Sequence, residues 1–136
     1  MKTNFLTTIG MALATTCLIV SCDNSVNGTW SGSCHNTTFG GKARLEASFT
    51  SKGNIISGYL SINSDDLTGS GEVKGVVNAK NISFDTPGDN DILTGIHWTG
   101  TISGNTITGT YIATPTLQAQ HLGVPVQMGE FQLNKN

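Results

Sequence analysis

The sequence is poor in charge and in cysteine, and it has no long apolar run; each shortage excludes a class of protein. Only 12% of the 136 residues are charged, and Lys and Arg form no run or stripe, so the electrostatic footprint of a nucleic-acid-binding protein is missing. Three cysteines are too few for the disulfide framework that stabilises many small secreted domains. The longest apolar stretch, residues 5–20, is diluted with threonine and falls short of the roughly 20 residues of a membrane-spanning helix.

Residues that carry catalytic or metal chemistry are also sparse. The nucleophile-elbow pattern Gly-x-Ser-x-Gly is absent, and His35, His97 and His121 are scattered, so no nucleophile is predicted to meet a base. Cys34 and His35 are adjacent, which on a strand sends their side chains to opposite faces, and the paired spacing of zinc ligands is missing. The sequence therefore predicts no catalytic residue, no metal and no cofactor, and we expect the protein not to be an enzyme.

Two acidic segments remain as candidates for an ion site. The segment 85–91 contains three carboxylates beside a Pro-Gly turn, and Asp65 and Asp66 lie on another predicted loop. Calcium takes oxygen ligands from such loops, but the register of an EF-hand is missing here, and acidic Pro-Gly segments are typical of solvated turns. We therefore expect solvated turns rather than a calcium site.

The N-terminal segment has the organisation of an export signal. Lys2 supplies a positive charge, and residues 5–20 form a short apolar stretch with small residues near its end. The tetrapeptide IVSC, residues 19–22, resembles the lipobox of bacterial lipoproteins, in which the cysteine is acylated and becomes the mature N-terminus. The resemblance implies a lipid such as palmitate on Cys22. The alternatives are an ordinary signal peptide that ends near a cysteine and a tilted anchor helix.

The lipobox resemblance also implies an anchor and a location. Its cysteine carries three acyl chains, and two or more chains hold a protein stably on a membrane, so we expect a lipid-anchored protein of the bacterial cell envelope. Asp23 follows the cysteine, and an aspartate there favours inner-membrane retention in enterobacterial lipoproteins. The predicted parts are a signal peptide over 1–21, a lipid-anchored tether over 22–27 and one exported domain over 28–136.

The lipid anchor leaves a single cysteine in the exported domain. Cys17 leaves with the signal peptide and Cys22 is committed to lipid, so Cys34 is left alone. We expect Cys34 to be a buried small hydrophobe, because free cysteines usually are. If Cys22 were not acylated, a disulfide between Cys22 and Cys34 would be the alternative in an exported protein.

Beyond Gly28 the composition and the alternation of residues are those of an all-β domain. The chain is rich in Gly, Ser, Thr and Asn, and apolar residues recur at every second position, most clearly over 43–49. Turn signals at 51–54 and 103–105 separate alternating segments, which predicts antiparallel neighbours in an up-and-down meander. Eight strands are expected, near 28–35, 43–51, 54–62, 69–77, 80–86, 94–102, 105–113 and 128–134.

A repeated spacing predicts how this sheet curves. A large apolar residue is followed two positions later by glycine, which alternation places on the same, interior face. Glycine weakens a strand, so its recurrence there indicates a geometric need, and sheets that curl into barrels use glycine kinks covered by aromatic side chains. We predict an antiparallel barrel, closed or nearly so, with a two-sheet β-sandwich as the alternative. The spacing begins at Trp30, Ile56, Val73, Trp98 and Ile107.

The start of the first predicted strand carries a family resemblance. Gly28-x-Trp30 resembles the Gly-x-Trp signature of lipocalins and their avidin and fatty-acid-binding relatives, the calycin-type barrels. In lipocalins this tryptophan closes one barrel end by packing against a basic residue late in the chain, so the resemblance implies a structural role for Gly28 and Trp30. The chain departs from the pattern, because the last predicted strand has no arginine and the exported part is short for a lipocalin.

The predicted interior is almost wholly apolar, so any ligand held there would be a small hydrophobic molecule. The predicted ligand-binding residues are Trp30, Phe49, Trp98 and Tyr111. Eight-stranded barrels can be just filled by their own side chains, which favours the alternative, a structural or protein-interaction module of the envelope. The whole inward set is Trp30, Leu45, Phe49, Ile56, Leu60, Ile62, Val73, Val77, Ile82, Phe84, Ile96, Trp98, Ile102, Ile107, Tyr111, Phe131 and Leu133.

The longest connection, residues 114–127, is predicted to contain one or two helical turns. Thr116 is placed to cap the helix and Gly123 to end it. In a ligand-binding barrel this segment would be a lid, and in a filled barrel it would be an end plug.

Overall fold

A computed structural model describes residues 26–64 and 68–136, and the structural statements below concern those residues. Eight antiparallel strands close a barrel in sequence order, and the last strand pairs with the first. This confirms the predicted up-and-down barrel, excludes the sandwich, and is compatible with a calycin-like fold. The elements are β1 (Gly28–Asn36), β2 (Lys42–Lys52), β3 (Ile55–Asn63), β4 (Thr68–Asn78), β5 (Asn81–Pro87), β6 (Leu93–Ser103), β7 (Thr106–Pro115), α1 (Leu117–His121) and β8 (Gln127–Lys135).

Several predictions fall on parts of the chain outside the described residues. These are the signal peptide over 1–21, the acylated Cys22 with most of the tether, and Asp65 and Asp66. Within the described ranges, no helix has the length and apolarity needed to cross a bilayer.

The two ends of the barrel differ in how the strands are connected. At one end, here called the closed end, two-residue turns at 53–54, 79–80 and 104–105 join successive strands. At the other, the open end, the connections are longer, and the one between β7 and β8 contains α1. The predicted helix is confirmed, since the hydroxyl of Thr116 accepts a hydrogen bond from the Ala119 N–H at 3.1 Å. Because N-terminal capping satisfies a free donor, Thr116 fixes where α1 begins.

A chain of aromatic rings forms the middle of the core. Ring centroids are 6.5 Å apart for Trp30 and Phe49, 5.4 Å for Phe49 and Phe84, and 5.8 Å for Phe84 and Trp98. Trp98 in turn lies 4.9 Å from Tyr111. These separations are those of favourable aromatic pairs. Of the predicted inward set, all are buried except Ile62 and Ile96, which are partly buried against the same core.

The interior glycines allow neighbouring strands and rings to approach closely. Gly109 of β7 lies opposite Gly100 of β6, and a Cβ at Gly109 would collide with the Thr99 carbonyl oxygen. At Gly100 the rim of the Phe131 ring would be 3.2 Å from an added Cβ. The predicted use of glycine beneath aromatic side chains is therefore confirmed at this seam.

The closed end is sealed by the segment that precedes β1. Val26 and Trp30 are fully buried, and the Trp30 indole N–H donates to the Val26 carbonyl at 2.9 Å. The Lys135 ammonium lies 5.6 Å from the centre of the Trp30 ring, within the range of a cation–π interaction. The basic residue late in the chain that packs against this tryptophan is therefore a lysine at the end of β8, in place of an arginine.

All eight seams of the barrel are formed by the described residues. Both partners of every strand pair, including β1 with β8, lie within residues 26–136, as do the contacts that seal the closed end. A chain that begins at residue 22 therefore keeps the whole barrel.

Candidate ligand-binding mouth

Small inward side chains leave space at the open end. Alternation along the strands points Cys34, Ala43 and Ala113 into the barrel near this end, and all three are buried or partly buried. Closer to the closed end, the same strands β1 and β2 supply Trp30 and Leu45, which fill the interior. The barrel is therefore tightly packed in its lower half, the half next to the closed end, and hollow near the open end. This hollow is here called the mouth.

The mouth contains a central lobe of about 270 Å³. Trp98 and Tyr111 border it from below, and the small side chains of three strands form its walls. The lining residues are Cys34, Asn36, Gly41, Lys42, Ala43, Ile62, Ser64, Leu93, Ile96, Trp98, Tyr111, Ala113 and Gln127.

A second lobe of about 260 Å³ opens through the wall between β4 and β5. Hydrogen-bonded pairing of these two strands runs only from Lys74–Asp85 to Asn78–Asn81, so the first half of β4 pairs with β3 alone. Pro87 ends β5 at this gap and has no N–H to donate to β4. We call this space the β4–β5 lobe; it is lined by Leu60, Ile62, Thr68, Gly69, Ser70, Gly71, Thr86, Pro87, Gly88, Asp89, Leu93 and Ile96.

The two lobes meet at three shared apolar side chains. Ile62, Leu93 and Ile96 border both lobes and are only partly buried. Each lobe alone is just below the roughly 300–1,000 Å³ of typical ligand sites, and the two are adjacent. The mouth therefore has the size and the apolar walls of a site for a small molecule.

Neutral polar side chains of Thr86, Asn36, Gln127 and Tyr111 border the mouth. The Thr86 hydroxyl, in the β4–β5 lobe, accepts the indole N–H of Trp98 at 3.0 Å. The Asn36 amide donates to the Gln127 side-chain oxygen at 2.8 Å beside the central lobe. Burial raises the pKa of Tyr111 to about 12, with a smaller contribution from the neighbouring Cys34. Tyr111 therefore stays protonated near neutral pH and can donate a hydrogen bond.

Burial also determines the chemistry of Cys34. The described structure places it free of any disulfide, buried, and against the central lobe. Desolvation raises the pKa of its thiol, opposed by a hydrogen bond from the backbone of Ala43. A thiol that resists ionisation is a poor nucleophile, so the prediction of Cys34 as a buried small hydrophobe is confirmed.

The rim of the mouth is held by hydrogen bonds between its loops. The Asp89 carboxylate accepts the backbone N–H groups of Asp91, Ile92 and Leu93 at 2.8–3.0 Å. Those from Leu93 and Ile92 have the largest effect in lowering the pKa of Asp89. Thr116, ahead of α1, donates from its hydroxyl to the Asp91 carbonyl at 2.9 Å. The acidic segment 85–91 therefore uses Asp89 to fold its own loop.

The four predicted ligand-binding residues divide between the two halves of the barrel. Trp98 and Tyr111 border the central lobe. Trp30 and Phe49 lie in the packed half and border neither lobe. The small residues Ala43 and Ala113 were missed at the sequence level, and the signal that could have found them is alternation extended one step beyond the large residues of each strand.

One polar array lies outside the mouth, on the outer face of β5 and β6. The His97 Nδ1 atom is 2.7 Å from Asp85 Oδ1, and its Nε2 atom is 3.4 Å from Ser83 Oγ. The order of groups is that of a serine hydrolase triad. The array lies on the exposed outer wall of the barrel, and its three residues border neither lobe of the mouth.

The described residues contain no cluster of three or more His, Cys, Asp and Glu side chains that could hold a metal ion. His97 is exposed on the outer face, as alternation predicts, and His35 borders an outer groove. His121 ends α1 on the surface.

Comparison with known proteins does not add a family. No protein-family model matches the chain, and no curated protein matches it.

Proposed function

We propose that this chain is a lipid-anchored protein of the bacterial cell envelope whose lipocalin-like barrel binds a small apolar molecule in its mouth. The supporting observation is the two-lobed apolar space at the open end, which the barrel leaves unfilled although its lower half is tightly packed. Apolar walls with a few uncharged polar groups are typical of sites for hydrophobic ligands.

The position of the mouth supports the combination of anchor and binding site. The chain enters the barrel at the closed end, where Val26 packs beneath Trp30. An acylated Cys22, four residues earlier, would hold that end toward the membrane. The mouth would then face away from the anchor, where ligands and partners can reach it.

The binding proposal predicts that filling the central lobe blocks ligand. Ala43→Phe is expected to weaken binding of the neutral dye N-phenyl-1-naphthylamine at least tenfold, or about 1.4 kcal/mol, because the new ring occupies the lobe that Ala43 borders. The measurement is dye fluorescence with residues 22–136 carrying Cys22→Ser, which removes the lipid and keeps the barrel.

Ser48→Phe is the matched control for this prediction. Ser48 lies on the same strand as Ala43 but faces outward opposite Tyr59, so its replacement should leave dye affinity unchanged. Equal affinity of wild type and Ala43→Phe, with both folded by near-ultraviolet circular dichroism, would place the dye elsewhere and contradict the proposal.

The anchor makes a separate prediction in the full-length chain. Wild type should incorporate radioactive palmitate and sediment with membranes, whereas Cys22→Ser should lose the label, because the modified atom is the Cys22 sulfur. Cys34→Ser is the control: Cys34 lies buried inside β1 and its replacement should leave labelling intact. Label that persists in Cys22→Ser, or is absent from wild type, would rule out the lipid anchor.

A second candidate function is a protein-interaction module. It is favoured by large hydrophobic side chains exposed around the open end, on its connections and at the start of β8, and patches of this kind often mark interaction sites. If folded protein failed to bind the dye or any apolar molecule, this candidate would be preferred. These side chains are Phe39, Ile92, Leu117, Leu122, Val126 and Met128.

A further inference from the structure

We propose that the ligand of the mouth is uncharged: an apolar molecule with one hydrogen-bonding oxygen, such as a medium-chain alcohol, aldehyde, ketone or ester. The mouth is inferred to reject the carboxylate of the same chain length. This inference rests on the proposed binding function and specifies the chemical class of its ligand.

The charges around the mouth are the first argument. Among the described residues that line the two lobes, only Lys42 and Asp89 carry a charge. Lys42 is on the outward-facing side of β2, next to the inward Ala43, and it also borders two grooves on the outside of the barrel. Because alternation directs the Lys42 side chain away from the interior, no cationic side chain among the described lining residues points into the barrel.

Asp89 makes the β4–β5 lobe still less suited to an anion. Its carboxylate lies at the edge of this lobe and is fixed there by three backbone N–H donors. Those hydrogen bonds lower its pKa, so it remains negative at neutral pH. A second carboxylate entering beside it would be repelled and would also lose its hydration without a compensating partner.

The Tyr111 hydroxyl is the group placed to recognise a neutral oxygen. In the described structure, every side-chain nitrogen or oxygen that is fully buried has a hydrogen-bond partner. The Tyr111 side chain is 8% exposed, and no partner for its hydroxyl is found among the described residues. The hydroxyl must therefore reach an accessible surface, and the space that Tyr111 borders is the central lobe.

The hydroxyl of Thr86 offers a second site of the same kind. It is 5% exposed and borders the β4–β5 lobe. Its oxygen accepts the Trp98 indole N–H, which leaves the hydroxyl proton for another acceptor. Each lobe is therefore bordered by a residue with a neutral hydroxyl, and such donors discriminate strongly against a ligand that cannot use them.

The test compares decan-1-ol with decanoate as competitors for the bound neutral dye at pH 8. The protein is residues 22–136 with Cys22→Ser, and each compound is used below its micelle concentration. Decan-1-ol should displace the dye at a concentration at least about tenfold lower than decanoate, because only the carboxylate must shed a charged hydration shell. The sulfonated analogue 8-anilino-1-naphthalenesulfonate should likewise bind at least about tenfold more weakly than the neutral dye.

Two variants locate the cause of this preference. Tyr111→Phe should weaken decan-1-ol about fivefold relative to the dye, since one neutral hydrogen bond to the alcohol is lost. The control Lys80→Gln removes a cation from the closed-end turn and should alter neither competitor. If decanoate displaces the dye as well as decan-1-ol does, the inference is overturned. If that displacement by decanoate is then lost in Lys42→Gln, the Lys42 ammonium is the group that binds the carboxylate. If neither the dye nor decan-1-ol binds the folded protein, the proposed function itself fails.

Discussion

Replacing Gly58 with alanine is expected to destabilise the barrel by roughly 3 to 5 kcal/mol. Gly58 has a φ of +147°, which residues with a side chain rarely adopt. A Cβ built there would also collide with the Ser48 carbonyl oxygen and lie 3.2 Å from the Phe49 Cα. Both neighbours are backbone atoms of the paired strand β2. The collision can therefore be relieved only if β2 and β3 move apart.

The measurement for Gly58→Ala is the midpoint of urea unfolding followed by tryptophan fluorescence. Gly41→Ala is the matched control, because nothing lies within 4 Å of an added Cβ at Gly41 and its φ is outside the left-handed region. Its stability should stay within about 0.5 kcal/mol of wild type. Equal midpoints for the two variants would show that the close approach of β2 and β3 at Gly58 is not needed.

Replacing Trp98 with alanine should cost about 3 to 5 kcal/mol, a large part of the roughly 5 to 15 kcal/mol that holds a domain together. Trp98 is 1% exposed, and its ring stacks on that of Phe84. It also forms an edge-to-face pair with Phe131, with 5.3 Å between the ring centroids. Its removal leaves a cavity beside the mouth and takes away the indole N–H that Thr86 accepts.

His97→Ala is the control one position away on the same strand. His97 faces outward, and its ion pair with Asp85 is exposed to solvent, where such pairs contribute about 0–1 kcal/mol. The urea midpoint of this variant should therefore stay close to wild type. If the urea midpoint of Trp98→Ala also stayed close to wild type, the aromatic chain would contribute little to the stability of the barrel.

Much of the barrel could be predicted from local sequence. Alternating apolar residues, with turn residues between them, predict all eight strands to within two residues at either end. They also predict the inward face, because the period of a strand fixes which side chains lie together. Thr116 and Gly123 predict α1 by the capping rules, and the structure places α1 between them.

The mouth could not be predicted in the same way, because its volume is a property of several strands at once. Ala43 and Ala113 are unremarkable in sequence, and only closure brings them around one space. The β4–β5 lobe depends on where pairing between the two strands stops, which alternation does not specify. The partner of Trp30 was also missed, since Lys135 lies one residue beyond the end of the predicted last strand.

The seam between β1 and β8 has a consequence for the order of folding. Seven of the eight seams join strands that are neighbours along the chain, so hairpins can form them early. The eighth seam, between β1 and β8, brings Trp30 opposite Lys135. Forming it closes a loop that contains almost the whole domain, and the chain loses that conformational entropy only at this step. Until then β1 and β8 are unpaired edges that can join other chains. Closure of the barrel therefore requires the last strand: a chain emerging from a ribosome or a translocation pore has no barrel until β8 has emerged.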